Sequence, residues 1–337
     1  MGGLGMATIG DVATRAGVSV ATVSRVLNGN TQVSEDRRRK VLKAVKELHY
    51  EPNLLGRMLR CSSARTILVV FAIMLPDLIR GILDAAADAG YQVILQFCPG
   101  KPADSTQFVM LQSGLADGAI LPELQIEDKL LAKLYQQYPI VQIGETTYSQ
   151  AHIVSVNYEE ISYRLTRHLI GQGRRRIATV GIVDQNGEMA YFCRERLAGT
   201  RRAIAEAGLS SDPRLHYDGP FGFAAGQAAA RYFLSQPERP DAIFCFQDNL
   251  AVGCLQELHK AGLRVPEDVA VAGFDNTEIS QVIEPPLTTV EQPFYEIGQE
   301  AVRTWLLIQG QGNRAIGRQV RLDARMILRE STEGQTK

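Results

Sequence analysis

An arginine on a short predicted helix is the first side chain in this sequence whose type and position suggest chemistry. Residues 17–30 read GVSVATVSRVLNGN, and helical spacing turns Val20, Ala21 and Arg25 away from the apolar face. A guanidinium bonds both O6 and N7 of guanine, and small apolar groups fit against a thymine methyl. A solvated helix arginine is the alternative for Arg25, and steric tolerance explains Val20 and Ala21 almost as well. Arg25 is therefore the candidate for a base contact if this helix meets duplex DNA.

Two short helices must hold that face in place. Thr8 can cap the first helix, with Asp11 at its third position, where a carboxylate suits both a capping box and the helix dipole. Gly17 ends this helix. Ser19 caps the second helix, which we expect to run to Asn28. The glycine-containing turn between the two is typical of a helix-turn-helix unit.

A longer third helix braces the pair. Ser34 stands at its predicted N-cap, and Val41, Leu42, Val45 and Leu48 recur at helical spacing as an inward stripe. The charge run EDRRRK at its start is typical of a solvated face. We therefore assign no specific contact to this run.

Charge separates this end of the chain from the rest. Residues 1–60 hold ten Lys and Arg against five Asp and Glu, whereas the remaining residues hold 26 against 32. The net charge of -1 thus hides a basic end and an acidic remainder. This asymmetry indicates an anionic partner for the N-terminal part alone.

From residue 65 onward, apolar strands alternate with helices. Such runs predict parallel sheets covered by helices on both faces. The segment is long for one sheet, so we expect two doubly wound lobes with a ligand cleft at the carboxyl ends of their strands. The predicted strands are TILVVFA, YQVILQF, DGAILP, PIVQIG, RRIATVGI, DAIFCFQD and DVAVAGFD.

Several classes of function are disfavoured. The five cysteines are scattered and form no CxxC pair, which argues against a disulfide framework or a zinc site. No apolar run reaches the ~20 residues of a membrane helix, and MGGLGMATIG lacks the features of a secretion signal, so we expect cytoplasmic residence. We expect no cofactor and no catalytic activity, because GxGxxG, P-loop and nucleophile-elbow motifs are absent. The histidines, which form no recognisable catalytic pattern, are His49, His152, His168, His216 and His259.

Four motifs, in order, resemble the LacI/GalR family of bacterial transcription regulators. They are ATIGDVATRAGVSVATVSRVLN, VSEDRRRKVLKAVKELHYEPN, GFDN and PPLTTVEQP, and the similarity covers residues 6–332. The motifs are specific because they occur at the right separations over two different types of fold. Within the family, GFDNTEISQVIEPPLTTVEQPFYEIG is most similar to the cytidine and purine repressors.

The resemblance implies a dimeric repressor with an α/β fold. It predicts a three-helix helix-turn-helix headpiece at residues 1–51, a hinge helix and linker at 52–64, and an effector-binding and dimerisation domain at 65–337. The effector domain would be of periplasmic-binding-protein type, with two doubly wound lobes. A palindromic operator mirrors a two-fold protein, so we expect a homodimer on double-stranded DNA. The expected lobes are about 65–157 with 292–322, and about 158–291 with 323–332.

The family likeness also assigns DNA contacts on the headpiece. In the family, the second helix enters the major groove and the positions of Val20, Ala21 and Arg25 face base edges. Other side chains offer hydroxyl or amide groups, or helix-terminal N–H groups, that suit phosphates. These phosphate candidates are Thr8, Ser19, Thr22, Ser24 and Asn28.

Leu59 is the second DNA-binding expectation. It matches the family's hinge leucine, which inserts with its twin into the minor groove and kinks the duplex. Asn53, Gly56 and Arg57 would line the same groove. The alternative is that Leu59 packs on the effector domain.

The likeness also assigns effector contacts. Arg196, in RERLAG, matches an arginine that reaches into the cleft, and it would bond a hydroxyl or carboxylate of the effector. Asp275, in GFDN, matches an acidic residue that accepts from sugar or ribose hydroxyls, and Phe221 matches an aromatic that stacks on a base or sugar. Alternatively, Arg196 and Asp275 brace loops or each other, and Phe221 belongs to the core. Asp248 is expected to be a helix N-cap beside the cleft.

One loop departs from the family. The family has an extended PD-x-x-NPFF loop before RGI, whereas this chain has the shorter VVFAIMLPDLIRGI. Ile73, Met74 and Leu75 stand where polar groups are expected, so the N-lobe would offer an apolar wall. Either the effector is unusual or small, or effector control has been lost.

These features together predict a sequence-specific regulator, a repressor of a metabolic or uptake operon, controlled by a nucleoside, purine or sugar. A soluble small-molecule-binding protein is the first alternative, and the basic headpiece counts against it. A regulator without effector control is the second. An α/β enzyme that uses the same cleft is the least favoured.

Overall fold

A computed structural model describes residues 7–27, 33–50, 63–99, 102–144, 148–183, 187–310 and 317–333. The chain divides into two compact units, residues 1–64 and 65–337. Within the described ranges, no helix combines the length and apolar character needed to cross a bilayer.

In the first unit, the described residues form the three helices of the predicted headpiece. Its helices are α1 Ile9–Ala16, α2 Val20–Leu27 and α3 Glu35–Glu47. All three bury their apolar faces in one small core, whose fully buried centres are Val12, Val23 and Val41. This arrangement gives α2 one buried face and one exposed face.

Two details of α3 differ from the sequence expectation. The prediction that Leu42 belongs to the core is wrong, because its side chain is 50% exposed. Ala44 takes its place in the buried stripe. Residues 41, 44, 45 and 48 follow the helical period, whereas position 42 lies about 100° around the helix. Ser34 does occupy the N-cap, but its side chain makes no capping hydrogen bond.

The second unit, the effector domain, contains parallel sheets and covering helices. Its strands are β1 Thr66–Phe71, β2 Gln92–Phe97, β3 Gly118–Pro122, β4 Ile140–Ile143, β5 Ile153–Val156, β6 Ile177–Ile182, β7 His216–Gly219, β8 Ala242–Cys245, β9 Ala270–Ala272, β10 Thr289–Glu291, β11 Gln319–Leu322 and β12 Arg325–Ile327. Its helices are α4 Pro76–Asp88, α5 Val109–Gln112, α6 Asp128–Gln137, α7 Tyr158–Gly171, α8 Tyr191–Glu206, α9 Phe223–Leu234, α10 Asp248–Lys260, α11 Glu278–Val282 and α12 Phe294–Gln309.

Two parallel sheets define two lobes. The N-lobe sheet has the strand order β11-β5-β4-β3-β1-β2, and the C-lobe sheet has the order β7-β6-β8-β9. All neighbouring strands in both sheets run parallel, as the apolar runs predicted. The expected α/β fold of paired doubly wound lobes is therefore confirmed.

Three described segments carry the chain between the lobes. They follow β5, β10 and β11, and β12 returns to pair antiparallel with β10. α12 crosses back to pack against α4 in the N-lobe, where Trp305 is fully buried and its Nε1 donates to the carbonyl of Pro139.

Five strands were not predicted from the sequence: β5, β7, β10, β11 and β12. Each has only three or four residues, and β7 (HYDG) and β11 (QVRL) are half polar. Segments this short and mixed become strands because neighbouring strands offer them backbone partners, so local composition carries little signal.

Candidate DNA-binding face and effector cavity

One face of α2 is presented to solvent. Val20 is 42% exposed, and Ala21 and Arg25 are also exposed, while Val23 and Val26 are buried on the opposite face. Ala21 and Arg25 follow Val20 by one and five positions, so the three side chains form a single patch on the helix surface. The structure thus brings together the three candidate base-reading residues.

The hydroxyl groups near this face also stabilise helix ends. Thr8 Oγ1 accepts from the Asp11 amide, and Asp11 Oδ2 accepts from the Thr8 amide, which confirms the predicted capping box. These bonds hold the pKa of Asp11 below its usual value. Ser19 Oγ accepts from the Thr22 amide at 3.2 Å, as predicted for the start of α2. Ser24 is half-buried, one turn along the helix.

Several candidate DNA contacts lie outside the described residues. They are Asn28, Asn53, Gly56, Arg57 and Leu59.

The basic run at the start of α3 pairs with its own acidic neighbours. Arg38 lies 4.0 Å from Glu35, and Arg39 and Lys40 lie 3.1 and 2.8 Å from Asp36. These exposed i,i+3 and i,i+4 pairs make the run a solvated face, as expected.

A cavity lies between the two lobes, at the carboxyl ends of strands from both sheets. Residues that follow β1 and β3 line it from the N-lobe, and residues that follow β6, β7, β8 and β9 line it from the C-lobe. Its volume is about 60 Å³, far below the roughly 300–1,000 Å³ of drug-sized ligand pockets. The three candidate effector contacts, Arg196, Phe221 and Asp275, all line this cavity.

Arg196 is held by its neighbours rather than pointing freely into the space. Its side chain is 3% exposed, Nη1 donates to the carbonyl of Phe246, and Nη2 lies 3.8 Å from Asp275 Oδ1. Its guanidinium carbon is 3.5 Å from the ring centroid of Phe274 and 4.7 Å from that of Phe192. The arginine and the aspartate therefore brace each other, and both line the cavity. Their contact with an effector stays a prediction.

The Asp275 carboxylate is fixed by a strained backbone and a side-chain bond. Its φ of +103° is a conformation that non-glycine residues rarely adopt, which is a common feature of functional sites. Gln292 Nε2 donates to Asp275 Oδ1 at 2.7 Å. Burial raises the pKa of Asp275, and the Arg196 charge and the Gln292 bond oppose that rise.

A polar chain that the sequence did not predict extends across the cavity wall. The Tyr158 hydroxyl is 3.3 Å from Glu123 in the N-lobe and 3.3 Å from Gln292, which bonds Asp275 in the C-lobe. Glu123, Gln247 and Gln292 all line the cavity. Their positions in the sequence could have indicated this role, because Glu123 comes one residue after β3 and Gln247 comes two residues after β8.

The aromatic and apolar walls match the sequence expectation in part. Phe221 is 52% exposed, so the alternative of a core residue is wrong. Ile73 and Leu75, from the shortened loop, line the cavity from the N-lobe as the predicted apolar wall. Met74 is exposed to solvent.

Asp248 is not the N-cap that the sequence predicted. Gln247 occupies that position, and Asp248 is the first residue of α10. Its buried carboxylate accepts from the amide and hydroxyl of Thr277 and from the hydroxyl of Thr289, at 2.6 to 2.8 Å. Burial raises the pKa of Asp248 to about 7, and the charge of Asp275 adds to the rise. Asp248 therefore ties the segment after β9 to the first residue of β10.

One histidine has polar partners that the sequence pattern did not indicate. His216 Nδ1 is 2.7 Å from Thr179 Oγ1, and His216 Nε2 is 2.9 Å from Asp218 Oδ2. Thr179 is buried between parallel strands, so its hydroxyl is not presented to a substrate.

Comparisons with known proteins agree with this architecture. Residues 8–53 match the sequence profile of bacterial regulatory proteins of the lacI family, and residues 166–332 match that of a periplasmic binding protein-like domain. The HTH-type transcriptional repressor CytR of Escherichia coli K12 is 33% identical over 333 residues, which are 97% of this chain and 96% of that protein. The repressor PurR of Vibrio campbellii is 36% identical over 88% of this chain and 90% of its own length.

Solved structures give the same result. The lac repressor dimer bound to operator and the anti-inducer ONPF superposes with a TM-score of 0.86 at 26% identity, over 97% of this chain and 99% of that one. The transcriptional regulator CelR in complex with cellobiose has a TM-score of 0.70 at 30% identity, over 96% and 99% of the two chains. The predicted family resemblance is confirmed: the chain belongs to the lacI family of bacterial regulatory proteins and is a DNA-binding transcriptional regulator with a periplasmic-binding-protein-like effector domain.

Proposed function

We propose that this chain represses transcription by binding a palindromic operator as a homodimer, and that a small molecule in the interlobe cavity controls its DNA affinity. The observation that carries the proposal is the outward face of α2. Val20, Ala21 and Arg25 are exposed there, while the other face of the helix is buried. Arg25 reads a guanine, and Val20 and Ala21 fit against the groove floor. Thr8, Ser19, Thr22 and Ser24 contact phosphates.

The hinge completes this DNA site. Leu59 wedges into the minor groove beside its twin, and Asn53, Gly56 and Arg57 line the same groove. The headpiece residue Asn28 contacts a phosphate. Changing Leu59 to Ala should remove most of the bend in bound DNA, which a phased-bend gel assay measures. An unchanged bend would contradict the wedge.

A second copy of the chain is the partner that a palindrome requires. The N-lobe sheet ends in β2, an edge strand whose Leu95 and Phe97 are exposed, and Leu83 is exposed on the neighbouring helix α4. An exposed apolar edge strand pairs readily with another chain. We propose that this patch contributes to the dimer, and the lac repressor solved with its operator is also a dimer. Replacing Leu95 with Glu should produce monomers in sedimentation experiments.

Effector control follows from the position of the cavity. A ligand that prefers one arrangement of the lobes shifts DNA affinity by its differential binding free energy. Arg196, Phe221 and Asp275 contact the effector, since all three line the cavity. The small volume and the apolar N-lobe wall support a compact ligand. The regulator acts in the cytoplasm, where its operator lies.

Selection from random DNA tests the proposal. The purified protein should enrich duplexes that contain a two-fold symmetric motif, and its affinity should fall steeply with salt because basic side chains displace counterions from the phosphates. The variant Arg25→Ala should lose the motif. If wild-type protein enriches no symmetric motif, the operator proposal is wrong.

A thermal-shift screen tests effector control. A ligand from a panel of nucleosides, purines and sugars should raise the unfolding temperature and change operator affinity, and Phe221→Ala should weaken both effects. A panel in which no compound does either would contradict effector control.

A further inference from the structure

Two polar side chains that line the interlobe cavity each carry an atom without a hydrogen-bond partner among the described residues. One atom is the side-chain carbonyl oxygen Oε1 of Gln247, and the other is Nε of Arg196. Gln247 is 7% exposed and Arg196 is 3% exposed, so both side chains are buried. A buried donor or acceptor without a partner costs free energy, and native structures satisfy most such atoms with protein, water or ligand.

The Gln247 side chain is not used by the helix that it begins. Gln247 is the N-cap of α10, and its backbone carbonyl accepts from the Ala251 amide at 3.2 Å. An N-cap side chain commonly accepts from an amide of the first turn, but Gln247 makes no such bond. Its side-chain carbonyl therefore remains an open acceptor at the cavity.

The Arg196 guanidinium leaves an open donor. Nη1 donates to the Phe246 carbonyl, and Nη2 lies 3.8 Å from Asp275 Oδ1. The rings of Phe274 and Phe192 lie 3.5 and 4.7 Å from the guanidinium carbon, measured to their centroids. A guanidinium donates only in its own plane, so Nε needs an acceptor at the edge of the group. None of the described residues supplies that acceptor.

The rest of the lining favours a flat ring with few polar groups. A sugar carries a hydroxyl on most of its carbons, and each buried hydroxyl needs hydrogen-bond partners of its own. A planar ring stacks on aromatic side chains and brings only the polar groups on its edge. Most of the lining residues are apolar: Ile73, Leu75, Ile182, Phe192, Phe221, Phe246 and Phe294.

We propose that the effector of this regulator is a compact cyclic amide, whose ring N–H donates to Gln247 Oε1 and whose carbonyl accepts from Arg196 Nε. The proposal rests on the proposed function, because it assumes that the cavity is the effector site. It adds the chemical class of the ligand, and it assigns Gln247 as a specificity-determining residue.

Four small probes test the chemical class. The probe 2-pyridone carries both groups, N-methyl-2-pyridone keeps the carbonyl but has no donor, and pyrrole keeps the N–H but has no carbonyl. D-ribose represents the sugars. In NMR titrations of the full-length protein, 2-pyridone should bind at least tenfold more tightly than each of the other three, because each of them leaves a buried group unpaired.

Three results of these titrations would overturn the proposal. They are the absence of 2-pyridone binding, binding of N-methyl-2-pyridone or pyrrole as tight as that of 2-pyridone, and tighter binding of D-ribose.

A variant of Gln247 separates hydrogen bonding from steric exclusion of the methyl group. Gln247→Met keeps the length of the side chain but removes the acceptor, so the preference for 2-pyridone over N-methyl-2-pyridone should fall below threefold. Gln281→Met, at an exposed glutamine of the C-lobe, is the matched control and should keep the full preference. A Gln247→Met protein that still prefers 2-pyridone tenfold would contradict the role of Gln247. Unfolding followed by Trp305 fluorescence verifies that each variant is folded.

The outcome separates this proposal from the function beneath it. If a sugar binds and changes operator affinity, Phe221→Ala weakens it and Gln247→Met does not, then the effector site stands and the cyclic amide class is wrong. If no compound of either panel binds, effector control fails as well.

Discussion

The DNA-reading face and the interlobe cavity are built in opposite ways. The face uses three residues of a single helix, α2, whereas the cavity gathers side chains from segments between residues 73 and 294. On α2 the candidate contacts point to solvent, but in the cavity Arg196, Asp275 and Gln292 bind one another. Side chains that bind DNA can be solvated in the free protein. Buried polar groups, in contrast, form hydrogen bonds with one another when no ligand is bound.

The strongest way to test this contrast is to remove Arg196. Arg196→Ala leaves the Asp275 carboxylate without its ion pair, and breaking a buried pair from one side costs about 3–5 kcal/mol. The unfolding free energy of the effector domain should fall by that amount, measured by urea unfolding with Trp305 fluorescence. Arg80→Ala is the control, since Arg80 is exposed and its pair with Asp77 contributes little. A loss below about 1 kcal/mol for Arg196→Ala would contradict the interpretation that Arg196 and Asp275 stabilise each other as a buried pair.

The same contrast explains what the sequence predicted. Helices α1 and α2, their caps at Thr8 and Ser19, and the parallel lobes follow from local periodicity and from hydrogen bonds within a few residues. Glu123 and Gln247 do not, because their role depends on which strand ends meet across the cavity. Arg196 and Asp275 were placed only through family likeness.

Two local errors have the same origin. The sequence places Asp248 as a cap because Asp is common there, but Thr277 and Thr289, distant in the chain, supply its donors. Leu42 is apolar, yet it lies off the buried stripe of α3. Composition alone gave the wrong assignment in both cases.

Asp248 should make the stability of the effector domain depend on pH. Its folded pKa of about 7 lies above the usual value of 3.8, so the native state holds its proton more tightly than the unfolded state does. The unfolding free energy contributed by Asp248 should therefore fall as pH rises from 4 to 7, by up to about 4 kcal/mol.

Urea unfolding across that pH range measures the effect. Asp248→Asn should reduce the fall in unfolding free energy between pH 4 and 7, because the neutral amide does not titrate. Asp268 is an acidic residue whose pKa is lowered by its hydrogen bond with Arg264. The control variant Asp268→Asn should therefore show the same fall in unfolding free energy that Asp248 causes in the wild type. If Asp248→Asn declines as steeply as wild type, Asp248 is not the titrating group.

On the headpiece side, Arg25→Ala should reduce discrimination without unfolding the helix. Loss of a bidentate guanine contact costs about 1–3 kcal/mol, which is roughly 5- to 150-fold in the preference for operator over scrambled DNA. Arg39→Ala, on the solvated face of α3, should change the two affinities alike. Fluorescence anisotropy with both duplexes measures the ratio, and equal losses of discrimination in the two variants would remove the special role of Arg25.

The smallest expected effect concerns the cap of α1. Thr8→Ala removes the hydroxyl that accepts from the Asp11 amide and should cost about 1 kcal/mol of local stability. Amide hydrogen exchange in α1 should speed up by about fivefold. Thr14→Ala, which removes a mid-helix hydroxyl bonded to the Gly10 carbonyl, should have a smaller effect. Similar rates in the two variants would show that the capping box adds little.

The ratio of dissociation constants for a selected palindrome and for a scrambled duplex tests the central claim most directly. At physiological salt, two copies of the headpiece that each read a half-site should give a ratio of about 1,000 or more. A ratio near 1 would mean that the exposed face of α2 reads no sequence, and the account of this protein as an operator-binding regulator would be wrong.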